Sequence, residues 1–347
     1  MEFETIDFNN KARWSEITKD REVYYQWQYL DAFQKRGDGT PILAYASDGV
    51  EAVVNVFFLR NINEDLKIDL EKQYFDIATP YGYGGVDYKG DNKQLLHFFF
   101  EKFEEYCKEK NIVSEFIRLC PFTNNYKNYE GSHDYIINRV SKTVSIKLED
   151  SEQIWSDMEG RCRRAIRKAQ RNNLVVKSGF TELQMAEFKN IYYDTMSRDN
   201  ADDYYFFDDK FFDSILKNLT DFANIYTVYL GKKPISSTIA IFNGDSAHYH
   251  LSGTLSDYMT YGANNMIIYE IAKDLCEKGY KSFHLGGGYG GDTSPLLMFK
   301  KSFNKHGELD FYIGKKIYDQ DRYDELCKIV NVSKEEAFFP AYRKGEC

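Results

Sequence analysis

The stretch HLGGGYGGDTSPLLMFKKSF, residues 284–303, sets five glycines between an apolar run and a helix-like segment. Glycine lets a backbone adopt positive φ and approach a ligand closely, so Gly286, Gly287 and Gly288, with Tyr289, can line a cleft where a strand ends. The alternative is a turn demanded by a sharp strand-to-helix connection. Gly286, Gly288 and Gly291 also satisfy G-x-G-x-x-G. A dinucleotide-binding domain places that fingerprint after its first strand, with several βα units downstream; here one strand and a tail remain, which excludes it.

Further cationic and titratable residues bracket this loop. Arg161, Arg163, Arg164, Arg167, Lys168 and Arg171 crowd one short segment of an acidic chain. On a helical wheel Arg161, Arg164, Lys168 and Arg171 form one stripe and Cys162, Ile166 and Ala169 an apolar one, so the basic face can project while the helix stays docked. Grouped arginines suit phosphates, with Arg164 and Arg167 the preferred pair; a solvated helix balanced by nearby acids is the alternative. Arg198, ahead of the Tyr204-Tyr205-Phe206-Phe207 cluster, is placed to meet a substrate carboxylate or phosphate, with Tyr205 and its neighbours for packing or stacking. His248 and His250 share a strand face by alternation, and His284 falls on a neighbouring strand. No fourth ligand and no H-E-x-x-H accompany them, so no metal is expected; one histidine, His250, is expected to line the cleft, where an ordinary pKa near 6.5 suits a base. No G-x-S-x-G elbow, catalytic cysteine context or Walker loop is present.

The elements that must position these residues occur twice. In the first half, 41–60 reads as two strands joined at Ser47-Asp48-Gly49, 91–110 as a helix with Leu95, Phe99, Phe103 and Tyr106 on one face, and 112–119 as a buried strand. In the second, 225–254 reads as three antiparallel strands, Asn264–Lys278 as a helix with Gly279 beyond it, and KSFHLGGG as the following strand. Ahead of these lie the basic helix, a strand at 174–178 and helices at 181–197 and 208–219; behind come a short helix at 295–303, a strand at 309–313, and a tail expected to pack back through Tyr318, Tyr323, Leu326 and Ile329. The repeat predicts two copies of one α/β domain with mixed sheets, spanning 1–150 and 151–347.

Composition narrows the class. At 347 residues, 43% apolar, 16% aromatic and with six prolines, the chain is globular. A net charge of -9 argues against coating nucleic acid or anionic membrane over the whole surface. No apolar run reaches the roughly 18 to 20 residues that cross a bilayer, so no membrane insertion is expected. The opening MEFETIDFNNKARW is acidic where an export signal is basic and then apolar, and Cys107, Cys120, Cys162, Cys276, Cys327 and Cys347 are scattered without a C-x-x-C pair. These features predict a cytoplasmic protein with reduced thiols. They say nothing of its oligomeric state.

Three antiparallel strands, a helix, a strand parallel to the third, then a helix and closing strands resemble the GNAT acyltransferase fold. Two such copies, with RCRRAIRKAQRNNLVV, SRDNADDYYFF, YGANNMIIYEIAKDLCEKGYKSFHLGGG and a closing FKKSF, resemble the FemA/FemB/FemX branch over nearly the whole chain. Such proteins are cytoplasmic aminoacyltransferases that use aminoacyl-tRNA to build peptidoglycan bridges. The resemblance implies two tandem GNAT-like domains without an inserted coiled-coil arm, no tightly bound cofactor, an acyl donor that is aminoacyl-tRNA or acyl-CoA, and direct, non-covalent transfer to an amine acceptor such as a nucleotide-linked muropeptide. It also implies that Lys300, in the family's F-K-x-x-F pattern, reaches the donor phosphate and reaction centre, and that Asp87 holds or deprotonates the acceptor amine. Solvated lysines and an exposed turn aspartate are the competing readings of those two residues. The rival functions are an acyl-CoA-dependent N-acyltransferase acting on an amino sugar or small amine, and a catalytically silent binding protein of the same fold.

Overall fold

The computed structural model describes residues 1–131, 134–289 and 291–344. The chain opens with β1 (Glu2–Asp7), α1 (Lys11–Thr18) and α2 (Trp27–Arg36), then β2 (Thr40–Ser47), β3 (Ala52–Asn61), a single turn α3 (Ile62–Asp65), β4 (Phe75–Ala78), α4 (Lys93–Glu109) and β5 (Ile112–Arg118). Next come β6 (Ile136–Lys147), α5 (Ser151–Asp157), α6 (Gly160–Arg171), β7 (Leu174–Gly179), α7 (Glu182–Arg198), α8 (Asp209–Asn218), β8 (Ala223–Leu230), β9 (Lys233–Asn243) and β10 (Ser246–Thr254). The last elements are α9 (Ala263–Glu277), β11 (Ser282–Gly286), α10 (Pro295–Lys301), β12 (Glu308–Ile317) and α11 (Gln320–Ile329). The longest of these helices, α4 and α7, have 17 residues, so no long helical arm is inserted among the described residues. No helix there is long and apolar enough to cross a membrane.

Local chemistry sets the element ends. The β2–β3 hairpin turns where Ser47 Oγ accepts from the Gly49 amide, Asp48 Oδ1 accepts from the Val50 and Glu51 amides, and Gly49 takes φ +88°. Asn92 caps α4 by accepting from the Gln94 and Leu95 amides. Its apolar stripe then buries Leu95, Phe99, Phe103 and Cys107, with Tyr106 partly covered.

Two compact units result. The first is Met1–Val140 with Phe311–Cys347, and the second is Ser141–Asp310. The first holds strands in the order β1-β2-β3-β4-β5-β12, antiparallel except for β4 beside β5. The second holds β6-β11-β10-β9-β8-β7, again antiparallel except for one parallel pair, β10 beside β11. Each is therefore a mixed sheet with one parallel crossover helix, α4 or α9. The cores follow: Phe57, Phe99 and Phe103 in the first unit; Ile267, Ile271, Leu275 and Phe283, with Cys162 and Ile166 of α6, in the second.

The division at 150/151 needs correcting at the C-terminal side. Residues from Phe311 onward pack with the first unit, because β12 pairs Ile313–Ile317 with Ser114–Arg118 of β5 and α11 buries Tyr323, Leu326 and Cys327 there. The tail does fold back, but Ile329 is exposed rather than packed. The sixth strand of each sheet thus comes from the segment that follows the other repeat in sequence. Cys107, Cys120, Cys162, Cys276 and Cys327 are free thiols; Cys347 lies outside the described residues.

Candidate functional site

In the second unit, the parallel pairing of β10 with β11 runs from Ser246/Ser282 to His248/His284 and ends there. Just beyond, β10 shifts register against β9 between Tyr249 and Leu251, which makes His250 a bulged residue. On its other side β11 shifts against β6 between His284 and Gly286. Irregularities on both flanks let the two parallel strands part beyond His248 and His284. The chain leaves β11 through Gly286, Gly287, Gly288 and Tyr289, whose ring is 72% exposed.

The glycines make room for one side chain. Lys300, on α10, is only 9% exposed, and its Nζ donates to the Gly287 carbonyl at 2.7 Å. Gly286 has φ +76°, and a Cβ there would lie 3.3 Å from Nζ; a Cβ on Gly287 would lie 3.0 Å from the Lys142 carbonyl. Gly288 serves packing instead. A Cβ there would sit 2.0 Å from Ser294 Oγ and 2.7 Å from the Leu297 amide, the two groups that form the N-cap of α10. Phe303 is buried and Phe299 stacks edge-on against it at 5.3 Å, anchoring the segment that carries Lys300, while Lys301 turns away to Glu308 at 3.1 Å. No carboxylate pairs with Lys300 among the described residues, and burial pushes its ammonium down to about 8.

His250 and His284 are not bases of ordinary strength. His248 and His284 are buried with rings edge-to-face at 5.6 Å. Burial first, then His248 and Lys300, pushes His284 well below the usual imidazole range; burial and His248 push His250 down to about 3. The expectation that a cleft histidine of ordinary pKa near 6.5 serves as a base is not met by His250: at the half-buried strand bulge its imidazole is held neutral and binds protons weakly. Thr143 on β6 was not singled out from the sequence. Its buried Oγ1 makes no hydrogen bond to a described residue, and its Cγ2 lies 3.6 Å from where a Gly287 Cβ would stand. The only sequence signal was a hydroxyl within the apolar strand SKTVSIKL, and alternation cannot tell such a threonine from a packed one.

The basic helix behaves as its spacing predicts. Cys162, Ile166 and Ala169 are buried, and Arg164, Arg167 and Lys168 are exposed. Arg161 and Arg163 are committed, to Glu159 and to the Trp155, Ser156 and Met158 carbonyls, whereas Arg164, Lys168 and Arg171 make no ion pair with described residues. Arg167 lies over the Trp155 ring at 5.4 Å. Arg198 donates to the Thr254 carbonyl at 2.7 Å and to Asp199, and Tyr205 offers its carbonyl to the Tyr192 hydroxyl, so both brace the C-terminal end of α7. Asp87 lies in the first unit. Its side chain is 3% exposed, paired with Arg21 at 2.8 Å and bridged in backbone to Val54. A carboxylate so enclosed is not the exposed turn aspartate of the competing reading.

Residues 156–293 match the family model of the acetyltransferase (GNAT) domain. That match covers most of the second unit, and the chain as a whole has a tandem GNAT-like fold. Among solved structures, FemX superposes with a TM-score of 0.69 at 12% identity, over 94% of this chain and 99% of that one. A conserved protein of unknown function from Bacteroides thetaiotaomicron gives 0.61 at 13% identity over 91% and 99% of the two chains. The C-terminal domain of a putative lysylphosphatidylglycerol synthetase from Agrobacterium fabrum gives 0.58 at 13% identity over 90% and 93%. No curated protein matches the sequence. The fold is that of FemX.

Proposed function

We propose that the protein is a cytoplasmic aminoacyltransferase that moves an aminoacyl group from aminoacyl-tRNA to the amine of a peptidoglycan precursor peptide, without a covalent enzyme intermediate. The observation that carries this reading is Lys300: an ammonium buried beside bare backbone at a strand end, with no carboxylate to balance it. Attack of a neutral amine on the donor ester builds negative charge on the carbonyl oxygen. Lys300 Nζ is a donor for that oxygen, and a donor fixed in a dry site is where such stabilisation is largest. The new amide bond forms as the ester C–O bond breaks, and the proton lost by the amine ends on the departing ribose hydroxyl. Arg164, Lys168 and Arg171, free of ion pairs, supply the phosphate contacts.

Keeping an unpaired charge buried lowers stability, which a catalytically silent scaffold has no reason to retain. An acyl-CoA donor uses the same oxyanion chemistry, so the test is by donor. Purified protein is offered radiolabelled aminoacyl-tRNA with UDP-linked muropeptide, or acetyl-CoA with glucosamine. Transfer in the first mixture, lost in Lys300→Met, is expected; transfer only in the second would move the assignment to an N-acetyltransferase, and none in either would refute it.

A further inference from the structure

The first unit contains a cavity of about 320 Å³ lined by Arg60, Lys315, Arg343, Phe116, Phe338 and Phe339, among others. We infer that it binds a small organic anion: a carboxylate or phosphate head on an aromatic or branched apolar body. The chemistry of the lining selects that class. Three cations and several aromatic or apolar side chains face one space, and no acidic residue lines it.

The acids that lie behind the cations do not cancel them. Asp76 is fully buried and saturated: Oδ1 accepts from Arg60 Nε at 2.6 Å, and Oδ2 accepts from Arg343 Nε at 2.5 Å and from the Tyr342 hydroxyl at 3.0 Å. Burial would raise the Asp76 carboxyl, but the two guanidiniums outweigh it and hold it below the usual range. Asp65 takes the other side of Arg343 at 3.0 Å. Lys315 makes no ion pair with a described residue and lies over the Phe339 ring at 5.3 Å, so its charge is not cancelled by a neighbouring acid. Arg60 is also only half used: its Nη2 is buried and makes no hydrogen bond to any described residue. Two guanidinium side chains and an ammonium side chain lining one space form a receptor for an anionic head.

The apolar part completes the class. Phe338 is 38% exposed, and with Phe116 and Phe339 it gives a ligand body a surface to stack on. The volume is at the small end of ligand cavities, which suits a single ring or a short branched chain rather than a nucleotide. All the residues named belong to the first unit, so this inference does not depend on the acyl-transfer reading.

The test is titration calorimetry on the full chain with 3-phenylpropionate, phenyl phosphate and the uncharged 3-phenylpropionamide, on wild type, Lys315→Met and Phe338→Ala. Binding of at least one anion is expected, with the amide and Lys315→Met each weakened about tenfold, the scale of one charge-assisted contact. The carboxylate and phosphate arms decide which head the site prefers. Equal affinity for amide and acid, no heat from either anion at roughly 10 mM, or unchanged binding in both variants would overturn the assignment. Phe338→Ala removes only an exposed ring, so it decides the matter if Lys315→Met does not fold.

Discussion

Replacing Lys300 with Met should make the protein more stable at neutral pH while abolishing transfer. Burial lowers the ammonium from an ordinary 10.5 to about 8. The native state therefore binds the proton less well than the unfolded chain, and protonation favours unfolding. That penalty is complete below the native value, near pH 8, and disappears as pH rises through the unfolded value, near 10.5. At pH 7 it amounts to about 3 kcal/mol, at pH 9 to about 2, and at pH 10 to less than about 1. Met keeps the stem and removes the charge. It also strips the Gly287 carbonyl of its donor, at roughly 1 to 1.5 kcal/mol, so the expected net gain at pH 7 is about 1.5 to 2 kcal/mol. Urea unfolding of both proteins at pH 7, 8, 9 and 10 measures it. The gain should shrink and change sign across that range; a variant less stable than wild type at pH 7, or a difference that does not vary with pH, would refute the account of a buried, uncompensated lysine.

Further outcomes bear on the same site. If Lys300 acts as a cation, transfer by the wild type should fall above about pH 8, and Lys300→Met should lose about a hundred- to a thousandfold in kcat; a pH–rate profile checks both. Gly288→Ala drives a methyl into the α10 cap and should cost about 2 to 3 kcal/mol, read as a lower denaturation midpoint. Arg164→Ala with Lys168→Ala should leave stability unchanged but weaken a polyphosphate donor, and should flatten the salt dependence of binding by about one to two in log–log slope. A fragment of residues 1–150 lacks β12, Tyr342 and Arg343 and should show no cooperative unfolding transition by circular dichroism; a folded fragment would contradict the pairing of β5 with β12.

Much of this architecture can be read from periodicity. The β2–β3 hairpin, α4, the three strands β8, β9 and β10, α9 and the glycine-ended β11 all follow from local turn and stripe signals, which need only neighbours in sequence. What escaped reading is long-range. That β12 leaves its own repeat to pair with β5 depends on residues about 200 positions apart in sequence, and no local pattern records a partner. The Arg21–Asp87 pair hid in the same way: a turn aspartate looks exposed until a distant arginine covers it. In the glycine loop, composition showed that space was needed but not for what. It took the folded chain to show Gly286 yielding to Lys300, Gly287 to the Lys142 carbonyl, and Gly288 to a helix cap. The bulge at His250 likewise has no signature in a strand that alternates normally on either side.

The exchanged last strands also set a schedule for biosynthesis. β5, IVSEFIR, is complete when residue 118 has left the ribosome, yet its partner in β12 ends at residue 317. At roughly 5 to 20 residues per second, an apolar strand edge stays open for about 10 to 40 seconds of translation. Through that interval the nascent first half is an adhesive intermediate, and the cell must shield it until the closing strand arrives.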